Sequence, residues 1–88
     1  MTLFYELSAA ADSDLDEIFD YTAHEFGMDQ AVKYVSDFDE VFERLSQNPQ
    51  SGLDRKEIRS GLRSFIKDKH VVFYRILKDR VRVVRILH

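Results

Sequence analysis

The carboxylates near the start of the chain are the side chains whose number and spacing come nearest to acid–base chemistry. Asp12, Asp14, Asp16, Glu17 and Asp20 crowd one short segment. The apolar residues of that segment recur at helical spacing, which places the acids on the opposite, water-exposed face. Carboxylates in water keep ordinary pKa values and are poorly suited to catalysis at neutral pH. We therefore interpret this group as a solvated helix surface.

The histidines and serines offer no stronger catalytic pattern. His24, His70 and His88 show no metal-ligand spacing with another histidine or a carboxylate. Ser60 or Ser64 with His70 would supply a nucleophile and a base, but nothing in the sequence fixes their geometry. The three glycines form neither a G-x-x-x-x-G-K-[ST] nor a G-x-G-x-x-G motif. We expect no catalytic residue, no metal site and no cofactor.

Basic residues concentrated after residue 50 are the remaining chemical signal. Residues 1–50 hold two bases and twelve acids, whereas residues 51–88 hold eleven bases and four acids. Such asymmetry is typical of a basic half that contacts an anionic partner, and the alternative is that the two halves pair with each other. The basic residues considered are Arg55, Lys56, Arg59, Arg63, Lys67, Lys69, His70, Arg75, Arg80, Arg82 and Arg85.

Arginine dominates this basic set and suits bidentate pairing with phosphate or carboxylate. Phe65 and Tyr74 lie between the basic residues and could stack on nucleic-acid bases. The set fits a nucleic acid, and it fits equally well an acidic protein segment. The charge pattern alone does not separate the two.

A short strand and a helical hairpin precede these residues. Residues 3–7 are aromatic and apolar and predict a strand, and Ser8 is a candidate N-cap. One apolar stripe then runs from Ala11 to Phe26, and Gly27 can adopt the left-handed conformation that ends a helix.

A second helix and several strands follow. Apolar residues repeat at helical spacing over residues 31–45, with Asp29 as the candidate N-cap and Asn48-Pro49 as the stop. The period then changes to two, which predicts strands with tight turns between them. The predicted strands cover residues 57–59 (at best a short one), 62–67, 70–78 and 81–88.

The two long strands are apolar on both faces, although only two helices are available to cover the sheet. One interpretation is that loops and the first strand shield the second face. The other, which we favour, is that a partner segment covers it. In strand 70–78, Val72, Tyr74 and Ile76 oppose Val71, Phe73 and Leu77; in strand 81–88, Val84 and Ile86 oppose Val81, Val83 and Leu87.

Together these elements predict a single α+β domain over residues 1–88, in two layers. It has an N-terminal strand and an α-helical hairpin packed on an antiparallel sheet (β-α-α-β-β-β/β). The chain contains no cysteine, which argues against a disulfide scaffold. No apolar run approaches about 18 residues, and Glu6 with no preceding base argues against a signal peptide. We expect no membrane span and a cytoplasmic protein.

Short motifs along nearly the whole chain are specific as an ensemble. They are Ala11-x-x-Asp14-Leu15-x-x-Ile18-x-x-Tyr21, Phe26-Gly27, Gln30-Ala31, Tyr34, Leu45, Asn48-Pro49, Gly52, Glu57-Ile58-Arg59-x-Gly61-Leu62-Arg63, His70-Val71-Val72-Phe73-Tyr74-Arg75 and Val84-Arg85-Ile86-Leu87-His88. In these motifs the chain resembles ParE-type toxins of bacterial toxin–antitoxin pairs, within the broader RelE/ParE superfamily.

The resemblance implies a helical hairpin on a sheet and a toxin that poisons DNA gyrase. It also implies a ParD-like antitoxin whose C-terminal tail wraps the toxin and whose N-terminal part binds operator DNA, with the toxin as co-repressor. Contact with operator DNA is then only indirect. Relatives usually run several residues past the final Arg-Ile-Leu-His segment, and that tail is associated with gyrase inhibition, so toxicity depends on whether the end at His88 is native.

The RelE branch of the superfamily implies a different activity, ribosome-dependent cleavage of mRNA. At the position where those ribonucleases carry an arginine, this chain has Val71, which cannot stabilise charge on a phosphate. His88 is the only candidate for their C-terminal acid–base residue. The gyrase-directed branch is therefore favoured, with an endonuclease acting through His70, His88 and the arginines as the alternative.

The third hypothesis is a non-toxic module that only binds the antitoxin or represses the operon. In each hypothesis that includes an antitoxin, we expect its acidic and apolar residues to lie over the sheet and along the hairpin. A toxin–antitoxin hetero-oligomer and a homodimer through the second sheet face are both compatible with these hypotheses. The expected antitoxin-binding residues are Arg59, Arg63, Phe65, Tyr74, Arg75, Arg82 and Arg85. By the period of two, the strand arginines divide between the two faces, so only some can contact one partner.

Overall fold

The computed structural model describes residues 4–88, so Leu3 of the predicted first strand lies outside it. Two helices pack on one face of a five-stranded sheet. The elements are β1 (Phe4–Leu7), α1 (Ala9–Phe26), α2 (Met28–Gln47), a 3-10 turn (Pro49–Ser51), β2 (Leu53–Asp54), β3 (Arg63–Lys67), β4 (His70–Ile76) and β5 (Arg80–Leu87). The predicted α+β class and its helical hairpin are confirmed.

The hairpin is defined by its caps. The Ser8 hydroxyl accepts a hydrogen bond from the Ala11 amide at 2.9 Å, which confirms the predicted N-cap. Gly27 has a φ of 96°, a conformation that favours glycine, and it ends α1. The prediction of Asp29 as the second N-cap is wrong, because α2 begins at Met28 and Gly27 itself caps it. One glycine therefore serves as the whole connection.

The sheet is mixed, with the strand order β1-β5-β4-β3-β2. β1 pairs with β5 in parallel, whereas every other neighbouring pair is antiparallel, so the expected purely antiparallel sheet is corrected at its first strand. Parallel neighbours need a long connection, and the hairpin and three strands supply it here. The short strand expected at residues 57–59 is a turn, and Leu53–Asp54 form β2 instead.

A bulge in β5 changes which residues face the helices. Val83 lies opposite Tyr74 and Arg85 lies opposite Phe73, so Val84 has no partner across the ladder. An extra residue reverses the alternation of side chains beyond it. Val83 and Ile86 are therefore both buried under the helices, which corrects the expectation that they point to opposite faces.

The hydrophobic core lies between the hairpin and the sheet. Helix residues and strand residues contribute about equally to it. Its buried members are Ala11, Leu15, Ile18, Phe38, Val41, Phe42, Leu45, Val72, Tyr74, Val81, Val83 and Ile86. The opposite face of the sheet, which we call the outer face, has no helix against it within residues 4–88. None of the helices described is both long and apolar enough to span a membrane.

Candidate functional site

A row of charged residues crosses the outer face over three neighbouring strands. Glu6 on β1 lies opposite Arg82 on β5, and Arg82 lies opposite Arg75 on β4. Their sequence neighbours Tyr5 and Tyr74 pack into the core, so the charged residues point the other way. Two arginines directly opposite each other repel, and such a pair is destabilising unless an anion lies near it.

Glu6 is the carboxylate that forms an ion pair with an arginine of this row. Its Oε1 accepts from Arg80 Nε at 2.6 Å and from Arg82 Nη1 at 3.1 Å. Those hydrogen bonds, from Arg80 first and Arg82 second, hold the pKa of Glu6 below its ordinary value. Arg75 donates to the Ser60 carbonyl at 2.9 Å, and no carboxylate of residues 4–88 lies within ion-pair distance of it. The outer face is thus short of negative charge.

Apolar side chains surround the arginine row. Phe4, Ile66 and Leu87 are 58%, 68% and 40% exposed, and Val71 and Phe73 are half-buried. The expectation that the second face is apolar is confirmed over the described part of the sheet. An apolar surface with exposed guanidinium groups is suited to a protein segment that carries both apolar and acidic side chains.

Tyr74, one of the predicted binding residues, lies on the helix side and is completely buried, which corrects the sequence prediction. Its hydroxyl donates to the Pro49 carbonyl at 2.7 Å and accepts from the Gly52 amide at 2.9 Å. Arg63 lies opposite Tyr74 and donates to the carbonyls of Gln50 at 3.1 Å and Gly52 at 2.6 Å. Both residues hold the turn after α2 against the sheet.

Phe65 and Arg59 lie apart from the row as well. Phe65 pairs with Val72 and packs against the core, so it is half-buried on the helix side rather than on the outer face. Arg59 is exposed in the turn between β2 and β3. Of the seven predicted residues, the structure brings only Arg75 and Arg82 together on the outer face.

Arg85 forms an ion pair with Asp14 of helix α1. Its Nε and Nη2 donate to the two carboxylate oxygens of Asp14 at 2.8 and 2.9 Å, and the Ile86 amide donates to the same carboxylate at 2.8 Å. These bonds, those from Arg85 first, lower the pKa of Asp14. Asp14 is buried, which corrects its assignment to the solvated surface. The sequence contains a signal for this burial. Asp14 follows Ala11 by three residues and precedes Ile18 by four, and that spacing places it on the apolar stripe of α1.

A cavity of about 920 Å³ lies between α1 and the end of β5. At its floor Tyr34 Oη and His70 Nδ1 are 2.9 Å apart, and the rings of His70 and His88 are 5.4 Å apart. Burial first, and His88 second, lower the pKa of His70, and burial raises the pKa of Tyr34. Sequence reasoning named His70 and His88 together but missed Tyr34, because the spacing of Tyr34 indicates only a core residue of α2.

The serine–histidine pair considered from the sequence is not assembled at this cavity. The hydrogen bond of His70 goes to Tyr34, and neither Ser60 nor Ser64 bonds to it. No group of three or more histidine, aspartate or glutamate residues among residues 4–88 is placed to hold a metal ion. The cluster therefore places an imidazole in hydrogen-bond contact with a phenol, and neither serine is bonded to that imidazole.

Comparison with known proteins identifies the family. The model of the ParE toxin of the type II toxin–antitoxin system parDE matches residues 5–88. The chain belongs to this family. It is 36% identical to toxin ParE1 of Caulobacter vibrioides over 84 residues, which cover 96% of this chain and 86% of that protein. It is 38% identical to toxin ParE1 of Mycobacterium tuberculosis (strain CDC 1551 / Oshkosh) over 89 residues, covering 100% and 91%.

A solved structure confirms the ParE fold of the chain. The structure is described as the chromosomal ParDE toxin–antitoxin system from P. aeruginosa, and it superposes with a TM-score of 0.84 at 24% identity. The likeness covers 99% of this chain and 96% of that one. The protein is thus a ParE toxin of a type II toxin–antitoxin system, and such a system implies an antitoxin partner.

Proposed function

We propose that this ParE toxin is a non-catalytic inhibitor of DNA gyrase that is neutralised by a ParD-like antitoxin in the cytoplasm. The observation that carries the proposal is the match of the ParE model over residues 5–88. The non-catalytic part follows from the gyrase-directed branch of this family, whose toxins poison their target without cleaving it. Inhibition then rests on binding rather than on bond cleavage.

The outer face is the surface that we assign to the antitoxin. Among residues 4–88, Glu6 is the one carboxylate within ion-pair distance of the opposed pair Arg75 and Arg82, which it contacts through Arg82, and exposed apolar residues flank them. An antitoxin segment that alternates apolar and acidic residues would cover the apolar surface and supply the missing negative charge. We include Arg59 in the proposal because it precedes Ser60, whose carbonyl accepts a hydrogen bond from Arg75. Operator DNA is contacted only through the antitoxin in this proposal.

Cleavage of mRNA is the alternative activity, and its residues would be His70, His88 and the arginines. Val71 stands where the ribonuclease branch has an arginine, and an apolar side chain cannot stabilise a developing phosphorane charge. Arg85 is already held by Asp14 through both of its carboxylate oxygens. These two features favour the gyrase-directed activity.

Two assays on the purified full chain test the proposal. In the first, gyrase supercoils a relaxed plasmid with increasing toxin, and we expect loss of supercoiling that the antitoxin encoded by the neighbouring gene restores. In the second, ribosomes translating a defined mRNA are incubated with the toxin, and we expect intact message. Cleaved message with unaffected gyrase would overturn the proposal. Unaffected gyrase and intact message, with tight antitoxin binding, would identify a non-toxic co-repressor.

A further inference from the structure

The outer face contains an anion-binding position that the chain fills with its own side chain. Glu6 Oε1 bridges Arg80 Nε at 2.6 Å and Arg82 Nη1 at 3.1 Å, and thereby faces two guanidinium groups on one strand. The side chains of Glu6 and Arg82 are 34% and 40% exposed, so the bridge is open to water and to a partner. An exposed ion pair of this kind contributes little to stability and is readily exchanged.

We propose that Glu6 is an internal competitor for a carboxylate-binding site formed by Arg82 and Arg75, and that a partner's acidic side chain displaces it from Arg82 when the partner docks. The inference rests on the proposed function, in which that partner is the antitoxin. It deepens that proposal by naming the atoms at which the exchange occurs.

The geometry of the row favours exchange over simple addition. Arg82 lies between Glu6 on one neighbouring strand and Arg75 on the other, so a carboxylate placed over Arg82 and Arg75 relieves their mutual repulsion. Glu6 reaches Arg80 and Arg82 but forms no ion pair with Arg75. A partner carboxylate can therefore contact both Arg82 and Arg75, whereas Glu6 contacts only the first of these two. It takes up this position once Glu6 releases Arg82.

The neighbouring Asp79 provides a matched comparison. Its Oδ1 accepts from Arg80 Nη1 at 2.8 Å, so it adds the same charge to the same arginine but has no contact with Arg82. Neutralising Asp79 changes the net charge of the surface as much as neutralising Glu6 does. Only the Glu6 change frees Arg82.

The test is isothermal titration calorimetry of the purified toxin with the purified antitoxin encoded by the neighbouring gene. We expect Glu6→Gln to tighten binding at least about threefold, in line with the energy of an exposed ion pair. Asp79→Asn should change affinity clearly less. In the Arg82→Ala background the gain from Glu6→Gln should disappear, because the competition then has no target.

Three results would overturn the inference: unchanged or weaker binding by Glu6→Gln, an equal gain from Asp79→Asn, or a gain that persists without Arg82. Circular dichroism and thermal unfolding of each variant establish that the fold is retained. Failure of the wild-type toxin to bind the antitoxin at all is a separate result, and it contradicts the proposed function rather than this competition.

Discussion

The two faces of the sheet use arginine in opposite ways. Arg63 donates to backbone carbonyls of the turn after α2, and Arg85 donates to the buried Asp14 carboxylate of α1. On the outer face, Arg75 bonds one loop carbonyl and Arg82 bonds the half-exposed Glu6. The contrast separates arginines that hold the fold together from arginines that are available to a partner.

The aromatic residues repeat this contrast within one strand. Tyr74 is completely buried under the helices, whereas its neighbour Phe73 is half-buried on the outer face. Since adjacent strand residues differ in face but share their backbone environment, paired substitutions measure what each face contributes.

Tyr74→Ala should produce the largest loss of stability. It removes a buried ring and both hydrogen bonds to the turn after α2, and large aromatic-to-alanine changes in cores cost about 3–5 kcal/mol. Phe73→Ala should cost less than half as much, because part of that ring is already in water. Urea unfolding followed by circular dichroism measures both, and equal losses would remove the distinction between the faces.

Asp14→Asn should produce the next largest loss, roughly 1–3 kcal/mol at pH 7, because it weakens the bonds from Arg85 and the Ile86 amide. Asp16→Asn on the exposed side of α1 is the control and should stay within about 0.5 kcal/mol of wild type. The measurement is again urea unfolding.

The Asp14 effect should also depend on pH. The pKa of Asp14 is lowered in the fold, so the carboxylate stabilises the native state above its ordinary value of 3.8 and that contribution is lost as the pH falls through the folded value. Wild type and Asp14→Asn should therefore converge in strong acid. A difference that stays constant with pH would show that the ion pair is not its source.

His70 should give the smallest effect, on stability in weak acid. Burial and His88 lower its pKa, so the unfolded chain takes up a proton near the ordinary value of 6.5 before the folded chain does. The stability that the neutral ring contributes is present above that pH and is lost as the pH falls through the folded value. His70→Gln should flatten the pH dependence of the free energy of unfolding between about pH 7 and 5, and an unchanged slope would contradict this assignment.

Periodicity predicts the elements of this fold well, because each helix buries one stripe and ends at a specific cap. Gly27 and Asn48-Pro49 mark helix ends for local conformational reasons that a sequence displays. The bulge at Val84 and the parallel pairing of β1 depend on contacts between distant segments. No local pattern indicates either, and the bulge alone moves Ile86 to the buried side.

The candidate site is harder to predict because arginine type and spacing do not reveal which partner each arginine meets. The period of two divides Arg63, Arg75, Arg82 and Arg85 between two faces, but it does not show which contacts each one makes. Long-range contacts distinguish them: Asp14 lies 71 residues from Arg85, and Glu6 contacts Arg82 only through the crossover of β1. Charge asymmetry therefore predicts that a basic surface exists, but not which arginines form it.

The most direct test of the outer face as the antitoxin-binding surface is the affinity of a paired arginine variant. Arg75→Ala with Arg82→Ala is compared by calorimetry with Lys33→Ala plus Arg44→Ala, which removes the same charge from exposed positions on α2. We predict at least about a tenfold loss of antitoxin affinity, about 1.4 kcal/mol, for the first pair and less than about threefold for the second. Equal losses, or none for the first pair, would contradict the account.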